Sequence, residues 1–186
     1  EDWKSALPDL RSADLLGFDT ETRPSFRKGR RNSPALIQLA TANAVYLVQL
    51  AFLPFGPHIV EILANPDQVK AGVGIRDDMR DLAKVYDFEP AGLVDLGGVA
   101  RAHKLPSQGL RTLAANFFGW RISKGSQCSN WSLMELTPRQ IAYAATDAWI
   151  GRLIFLRMCE MGLIPSCRNL CDALPEGDML AAGSSV

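Results

Sequence analysis

Acidic side chains that could act together chemically occur in three separate segments of this 186-residue sequence. The first segment runs from Asp14 to Glu21 and has the pattern of a strand with a mostly apolar body and an acidic end. Asp19 and Glu21 are two residues apart, so their side chains leave the same face of that strand. Carboxylates held together repel each other unless a proton or a cation lies between them. This pair is therefore either a metal-bridging pair or two solvated acids at an exposed strand end.

The second segment is a helix predicted from about residue 77 to residue 86, shortly after Gly74. Its apolar stripe consists of Ile75, Met79, Leu82, Val85 and Tyr86. Asp78 falls on this stripe, whereas Asp77 falls on the polar face. A carboxylate among core-facing residues is costly unless it is paired or bound to a metal. An acid that only complements the helix dipole would suit Asp77 better, so Asp78 is the predicted ligand.

The third segment is a long helix predicted to begin after Thr137. Thr137 is a suitable N-cap, because Pro138 follows it and Gln140 lies three residues later, as in a capping box. Tyr143 and Asp147 are four residues apart and therefore share one face of this helix. The alternative to a catalytic pair is a buried, hydrogen-bonded Tyr–Asp pair that only braces the helix.

In combination, the three segments resemble the DEDDy branch of the DnaQ-like 3′–5′ exonucleases, the branch of ribonuclease D and the Werner syndrome exonuclease. The matching segments are FDTET, VGIRDDMRDL and YAATDAWIG, and the run GSQCSNWSLMELTPRQIAYAATDA resembles the family's approach to the third segment. The resemblance covers roughly residues 15–155. It departs from the family pattern at Asp77, where relatives carry a small residue, so the helical phase is needed to choose Asp78.

The resemblance implies two divalent cations, Mg²⁺ or Mn²⁺, held by Asp19, Glu21, Asp78 and Asp147. Asp19 would bridge both ions, with Glu21 and Asp147 completing the tighter site. Asp78 would act on the second ion through water, and Tyr143 would orient the attacking water or help to deprotonate it. Hard cations prefer carboxylate, water and phosphate oxygens, and two ions about 4 Å apart suit in-line displacement at phosphorus. No small-molecule organic cofactor is expected.

The implied activity is hydrolysis of RNA or DNA phosphodiester bonds from the 3′ end, with release of nucleoside 5′-monophosphates. The implied partner is a single-stranded 3′ end. A catalytically silent nucleic-acid-binding module on the same fold is the alternative, although such descendants usually lack one or more of the acids. An unrelated α/β domain would require three coincidences in the right order. The choice between RNA and DNA, the pathway, the metal used and the oligomeric state stay open.

Four further residues are predicted to contact the substrate. Arg27 and Lys28 belong to a basic cluster between Arg23 and Arg31, which would guide the nucleic-acid backbone or form an ordinary solvated loop. Thr20 lies between the first two acids. Trp131 lies in the loop before the long helix, where it would border the substrate channel or pack in the core.

The remaining pattern predicts the scaffold of a single α/β domain. Further strands are predicted at residues 35–40, 44–50, 69–73 and 93–95, and further helices at residues 58–64, 96–103 and 109–117. An antiparallel set of strands followed by alternating strands and helices predicts a mixed sheet flanked by helices. The resemblance implies the ribonuclease H-like form of that sheet. The expected domain is residues 1–186, with a core at about 14–162 and a C-terminal tail at 163–186 that packs on it or is partly disordered.

Composition excludes several other classes of protein. The 20 basic and 20 acidic residues give no net charge, which argues against a protein that coats nucleic acid through bulk charge. No apolar run approaches the ~20 residues needed to span a bilayer. No signal peptide is recognisable in the chain as given, so a cytoplasmic, nucleoid or nuclear protein is expected. The cysteines lack the spacing of a zinc site and are expected to be free thiols: Cys128, Cys159, Cys167 and Cys171.

Overall fold

The structure, a computed structural model, describes residues 3–24, 32–52 and 56–165. These ranges contain five strands and six helices, and every predicted element is present to within a few residues. In chain order they are α1 (Trp3–Ser12), β1 (Leu15–Thr22), β2 (Pro34–Ala40), β3 (Val45–Gln49), α2 (Pro57–Leu63), β4 (Val69–Gly72), α3 (Ile75–Ala83), β5 (Leu93–Asp95), α4 (Leu96–Ala102), α5 (Leu110–Phe118) and α6 (Pro138–Glu160).

The strands form one mixed sheet in the order β3-β2-β1-β4-β5. β1 pairs antiparallel with β2, which pairs antiparallel with β3. A short turn joins β2 to β3, in which the amide of Thr41 donates to the carbonyl of Ala44 at 2.9 Å. On its other side β1 runs parallel to β4, and β4 runs parallel to β5. β1 is therefore the central strand, and the predicted mixed sheet is confirmed.

Helices cover both faces of this sheet. On one face, Leu16, Phe18 and Ile37 pack in a cluster with residues of α1, α2 and α3. On the other face, Leu15 and Ala71 pack in a second cluster with residues of α4, α5 and α6. The alternation of side chains along β1 thus serves two hydrophobic layers, because neighbouring residues point to opposite faces.

Helix α1 lies before the first element that the sequence pattern indicates. It contains Pro8, a residue that usually argues against a helix interior because it lacks an N–H donor. Ala6, Leu7 and Leu10 of this helix are buried in the core, so tertiary packing compensates for the local cost. The core therefore begins closer to the N terminus than residue 14.

Local backbone chemistry sets the ends of α3 and α6. The predicted capping box of α6 is present: the amide of Gln140 donates to the hydroxyl of Thr137 at 3.3 Å, and the Gln140 side chain accepts from the Thr137 amide at 3.1 Å. Helix α3 begins earlier than predicted because Gly74 adopts a left-handed conformation, with φ of 76°, directly before it. The helix also ends earlier, so Val85 lies outside it and is 49% exposed rather than part of the apolar stripe.

Gly17 allows α6 to approach the central strand closely. A Cβ atom at this position would overlap the carbonyl oxygen of Ala148 and would lie 2.9 Å from Cβ of Arg152. Asp19 is two residues further along the same face of β1. The close contact at Gly17 therefore helps to set the position of α6, and of Asp147 on it, relative to Asp19.

Two further expectations concern the cysteines and membrane association. Cys128 is free and exposed, as predicted, but Cys159 is disulfide-bonded, so the prediction of a free thiol is wrong there. Sequence spacing does not report which thiols the fold brings within bonding distance. Cys167 and Cys171 lie outside the described residues. No helix in the described part of the chain is long and apolar enough to cross a bilayer.

Replacing Gly17 with alanine is expected to lower the free energy of unfolding by about 1–3 kcal/mol, because the added methyl group overlaps the α6 backbone. Urea denaturation measures this change. Gly98→Ala is the matched control, since its new Cβ would lie 3.6 Å from Cβ of Asp95, an ordinary contact. Equal stability of the two variants would contradict the close packing of α6 on β1.

Candidate active site

The predicted acids come from three elements and meet at one end of the central strand. Asp19 and Glu21 lie on the face of β1 that α6 covers, and Asp147 lies on α6. With Tyr143 they line a cleft of about 200 Å³. Asp78 on α3 lies beside this cleft, close enough to Asp19 for its charge to raise the pKa of Asp19. One strand and two helices thus bring their acids together.

Crowding makes these carboxylates hard to ionise together. Burial raises the pKa of Asp19 well above its usual range, and the charges of Asp78 and Asp147 raise it further. Burial raises the pKa of Glu21 to about 9, with contributions from the other three carboxylates. The pKa of Asp147 is also raised by burial. Such an arrangement costs stability unless protons or cations enter it.

Helix α3 presents its two neighbouring acids to different surroundings. Asp78 is half-buried, and burial raises its pKa to about 6 although a hydrogen bond from the Thr20 side chain opposes the shift. Asp77 is exposed and forms a salt bridge with Arg80 at 2.7 Å. The helical phase of the sequence therefore selects the inward-facing acid correctly.

Tyr143 connects Asp147 to a positive charge. Its hydroxyl hydrogen-bonds with the carboxylate of Asp147 and accepts a hydrogen bond of 2.6 Å from Nη2 of Arg111. The guanidinium carbon of Arg111 lies 5.7 Å from the centroid of the Tyr143 ring. Burial, followed by the charge of Asp147, raises the pKa of Tyr143 well above its usual range. The phenol is therefore protonated at neutral pH and donates its proton to the hydrogen bond with Asp147.

Arg111 is the one cationic side chain among the described residues that line the cleft, and the sequence pattern did not single it out. Its charge lowers the pKa of Asp19, Glu21 and Asp147, and so offsets part of their repulsion. It is also the only charged residue of α5. A single arginine on a helix with no other charged residue is the sequence feature that could have indicated Arg111 as a site residue.

The donor atoms of the site suit hard divalent cations. Oδ1 of Asp147 is buried without a hydrogen-bond partner, which in native proteins calls for an explanation such as an ion or a water molecule. Oδ1 of Asp19 accepts a hydrogen bond of 2.8 Å from the amide of Thr20. Among the described residues, no three His, Cys, Asp or Glu side chains are arranged to hold one ion as they stand.

The residues predicted to contact substrate are placed differently from one another. Thr20 is half-buried and lines the cleft beside the acids. Trp131 is completely buried and packs near Tyr143, with ring centroids 6.0 Å apart, so it cannot border an open channel as predicted. The structure instead shows the alternative, a tryptophan that packs in the core. Arg27 and Lys28 lie outside the described residues.

Fold and site together define a class of protein: a ribonuclease H-like mixed sheet with carboxylates gathered at one end of its central strand, as in 3′–5′ exonucleases. Comparison with known proteins identifies the family. Residues 1–162 match the family model described as 3′-5′ exonuclease, and the chain belongs to that family.

Individual relatives agree with this assignment. The bifunctional 3′-5′ exonuclease/ATP-dependent helicase WRN of Mus musculus is 33% identical over 159 residues, covering 82% of this chain and 11% of that protein. The Escherichia coli RNase D structure has a TM-score of 0.74 at 23% identity and covers 90% of this chain and 45% of that one. The Trypanosoma brucei RNase D complex with RNA U12 has a TM-score of 0.71 at 19% identity and covers 84% and 58%. These structures confirm the fold. The chain spans between 11% and 41% of the length of the curated relatives.

In the absence of divalent cations, the folded protein is expected to lose stability as the pH rises. The folded-state pKa of Glu21, about 9, lies above the usual value of 4.5, so its stabilising contribution is complete below pH 4.5 and is lost as the pH approaches 9. Asp78 acts with the same sign over a lower range, because its pKa is raised from 3.8 to about 6. Thermal denaturation in chelator, between about pH 5 and about pH 9, measures the effect.

Glu21→Gln is the comparison variant for this experiment, because it removes one of the titrating groups while keeping the side-chain shape. The fall in midpoint temperature with pH should be shallower in this variant than in the native chain. A stability that increases across the range, or a slope that the substitution leaves unchanged, would show that the carboxylates are not crowded as described.

Proposed function

We propose that this protein is an active 3′–5′ exonuclease that hydrolyses phosphodiester bonds of RNA or DNA from the 3′ end and releases nucleoside 5′-monophosphates. The observation that carries the proposal is the gathering of four acids with raised pKa values: Asp19, Glu21, Asp78 and Asp147. Perturbed groups that share a cleft are typical of functional sites. Membership of the 3′-5′ exonuclease family supports the reaction.

The four carboxylates would hold two divalent cations, Mg²⁺ or Mn²⁺. Asp19 would help to hold both ions, since the charges of both Asp78 and Asp147 reach its carboxylate. Glu21 would complete the site shared with Asp147, whose buried Oδ1 has no partner. When bound, the cations would supply an activated water molecule and positive charge for the phosphate. The protein supplies fixed acceptors of the type these ions prefer.

Tyr143 would orient the attacking water rather than deprotonate it. Its raised pKa keeps the phenol protonated, so it is a poor base at neutral pH. The hydrogen bond from Arg111 restricts the direction of the hydroxyl. Arg111 also places a positive charge in the cleft, where phosphate oxygens of a bound strand would meet it.

The substrate would be a single-stranded 3′ end. The cleft of about 200 Å³ is small, so a base-paired end would have to open before its last nucleotide could enter. RNA is the first substrate to test, because one structural neighbour is a complex with RNA U12. DNA stays a candidate, and a recessed duplex is the third substrate for comparison.

A catalytically silent nucleic-acid-binding domain is the second candidate. One observation favours it: within the described ranges, no three ligand side chains are arranged to hold an ion as they stand. The retention of all four acids together with Tyr143 favours the active enzyme. A degradation time course with 3′-labelled and 5′-labelled strands, in Mg²⁺, Mn²⁺ or chelator, separates the two functions.

Asp19→Asn is expected to reduce metal-dependent release of the 3′-terminal nucleotide by about a thousandfold or more, because metal-assisted charge stabilisation amounts to several kcal/mol at the transition state. Asp78→Asn should cause a large loss for the same reason. Initial rates on 3′-labelled strands measure both effects. Circular dichroism should show that the two variants remain folded, since asparagine keeps the shape of aspartate.

Asp77→Asn is the matched control for Asp78→Asn, because Asp77 is the neighbouring acid on the exposed face of the helix and forms a salt bridge with Arg80. Its activity should stay close to that of the native chain. If Asp77→Asn and Asp78→Asn lose activity equally, the assignment of Asp78 is wrong. If Asp19→Asn keeps near-native activity, the proposed mechanism fails.

Tyr143→Phe is expected to lower kcat by about 10- to 100-fold with little change in KM, since water positioning acts mainly at the transition state. Steady-state kinetics on a short single strand give both constants. If the Tyr143–Asp147 pair only braces α6, the variant should instead lose about 1 kcal/mol of stability and keep its kcat.

A further inference from the structure

Tyr143 lines two cavities, the active-site cleft and a larger pocket of about 450 Å³. This second cavity, called the α6 pocket below, lies between residues 122–126 and one face of α6. Its lining includes Ile122, Ser123, Ser126, Arg139, Tyr143 and Thr146. The volume falls in the range of about 300–1,000 Å³ that is usual for sites holding small organic groups. Apart from Tyr143, the residues that line this pocket have no role in the reaction described above.

Two polar side chains of the α6 pocket have no hydrogen-bond or ion-pair partner among the residues that the structure describes. Ser126 is 3% exposed, and its hydroxyl forms no hydrogen bond within the described part of the chain. Arg139 is exposed and forms neither a salt bridge nor a hydrogen bond with the described residues. The other three hydroxyls each have a partner: Ser123 accepts from the amide of Gly125 at 3.1 Å, Thr146 donates to the carbonyl of Ala142 at 2.6 Å, and Tyr143 accepts from Arg111 at 2.6 Å. Ser126 and Arg139 are therefore the groups left for a ligand.

The chemistry of these two groups fits a nucleotide unit. A guanidinium is the preferred partner of a phosphate, because its planar N–H donors match two phosphate oxygens. The Ser126 hydroxyl is open to the pocket, where it can donate to or accept from a sugar hydroxyl or a base edge. Ile122 and the Tyr143 ring add apolar surface for a sugar or base.

We propose that the α6 pocket holds the nucleotide on the 5′ side of the scissile bond, with Arg139 contacting the phosphate of the next linkage upstream. This inference rests on the proposed exonuclease function and adds a second nucleotide position to it. The terminal nucleotide carries one phosphate, the scissile one, which the carboxylate site must hold. A second phosphate contact next to the cleft can then only belong to the continuing strand. Tyr143, shared by both cavities, lies where the strand passes from one to the other.

The test uses a short strand labelled at its 3′ end, in which the linkage one step upstream of the first scissile phosphate is a neutral methylphosphonate. Release of the first nucleotide is measured for the native chain and for Arg139→Gln. On the all-phosphate strand, Arg139→Gln should lower kcat/KM by about tenfold, the value of one charge-assisted hydrogen bond. On the methylphosphonate strand, the two proteins should be equal, because the contact is already lost.

Two further variants sharpen this comparison. Arg11→Gln removes a charge from α1, on the opposite face of the sheet, and should leave kcat/KM unchanged on both strands. Ser126→Ala should raise KM for both strands without changing kcat, as expected for a group that binds the strand away from the reacting atoms.

Three results would overturn the α6 pocket assignment. The first is that Arg139→Gln equals the native chain on the all-phosphate strand, and the second is that its loss of kcat/KM persists unchanged on the methylphosphonate strand. The third is that the native chain responds only when the neutral linkage is moved further upstream. In contrast, if the native chain releases no nucleotide from the all-phosphate strand with Mg²⁺ or Mn²⁺, the proposed function itself fails.

Discussion

Mutual repulsion among carboxylates is the constraint on which the site depends. Three separate elements hold Asp19, Asp78 and Asp147 close together, although burial raises the pKa of each and the charges of Asp78 and Asp147 raise the pKa of Asp19 further. An isolated helix or strand would move such charges apart, so the arrangement persists only because the hydrophobic layers on both faces of the sheet fix β1, α3 and α6. Holding the acids together therefore lowers the stability of the fold, as is usual at functional sites.

Polar groups elsewhere in the interior show how unusual this arrangement is. Lys70 is completely buried, and burial lowers its pKa to about 8, yet its ammonium donates to the carbonyls of Asn65 and Gln68 at 2.6 and 2.7 Å. That lysine is satisfied and structural. Several buried groups near the acids lack such partners, including Oδ1 of Asp147 and the amide of Gln38, which pairs with Asp19 in the β1–β2 register. Other unpartnered atoms, such as Oε1 of Gln68 and Nε of Arg157, lie away from the acids, so the group that calls for an ion or a water molecule at the site is Oδ1 of Asp147.

Periodicity explains which features the sequence could predict. The strand pattern placed Asp19 and Glu21 on one face, and the helical phase separated Asp78 from Asp77, because both rules depend only on local geometry. Trp131 could not be assigned in this way, since it lies in a loop without periodicity and its burial depends on how α6 packs. The role of Arg111 could not be predicted for a related reason: its hydrogen bond with Tyr143 joins residues that are 32 apart in the chain. The disulfide at Cys159 likewise depends on tertiary contacts.

Helix α6 fixes the distance between the two cavities, because it is one continuous helix and carries residues that line both. Tyr143 and Asp147 are one turn apart, and Arg139 is one turn before Tyr143, which corresponds to about 6 Å of rise for each step. A continuous helix fixes these separations without relying on a loop, and the capping box at Thr137 anchors the end nearest Arg139. Groups held on one regular element keep their spacing better than groups on separate loops. The same helix would therefore keep an upstream phosphate in register with the scissile one as successive nucleotides are removed.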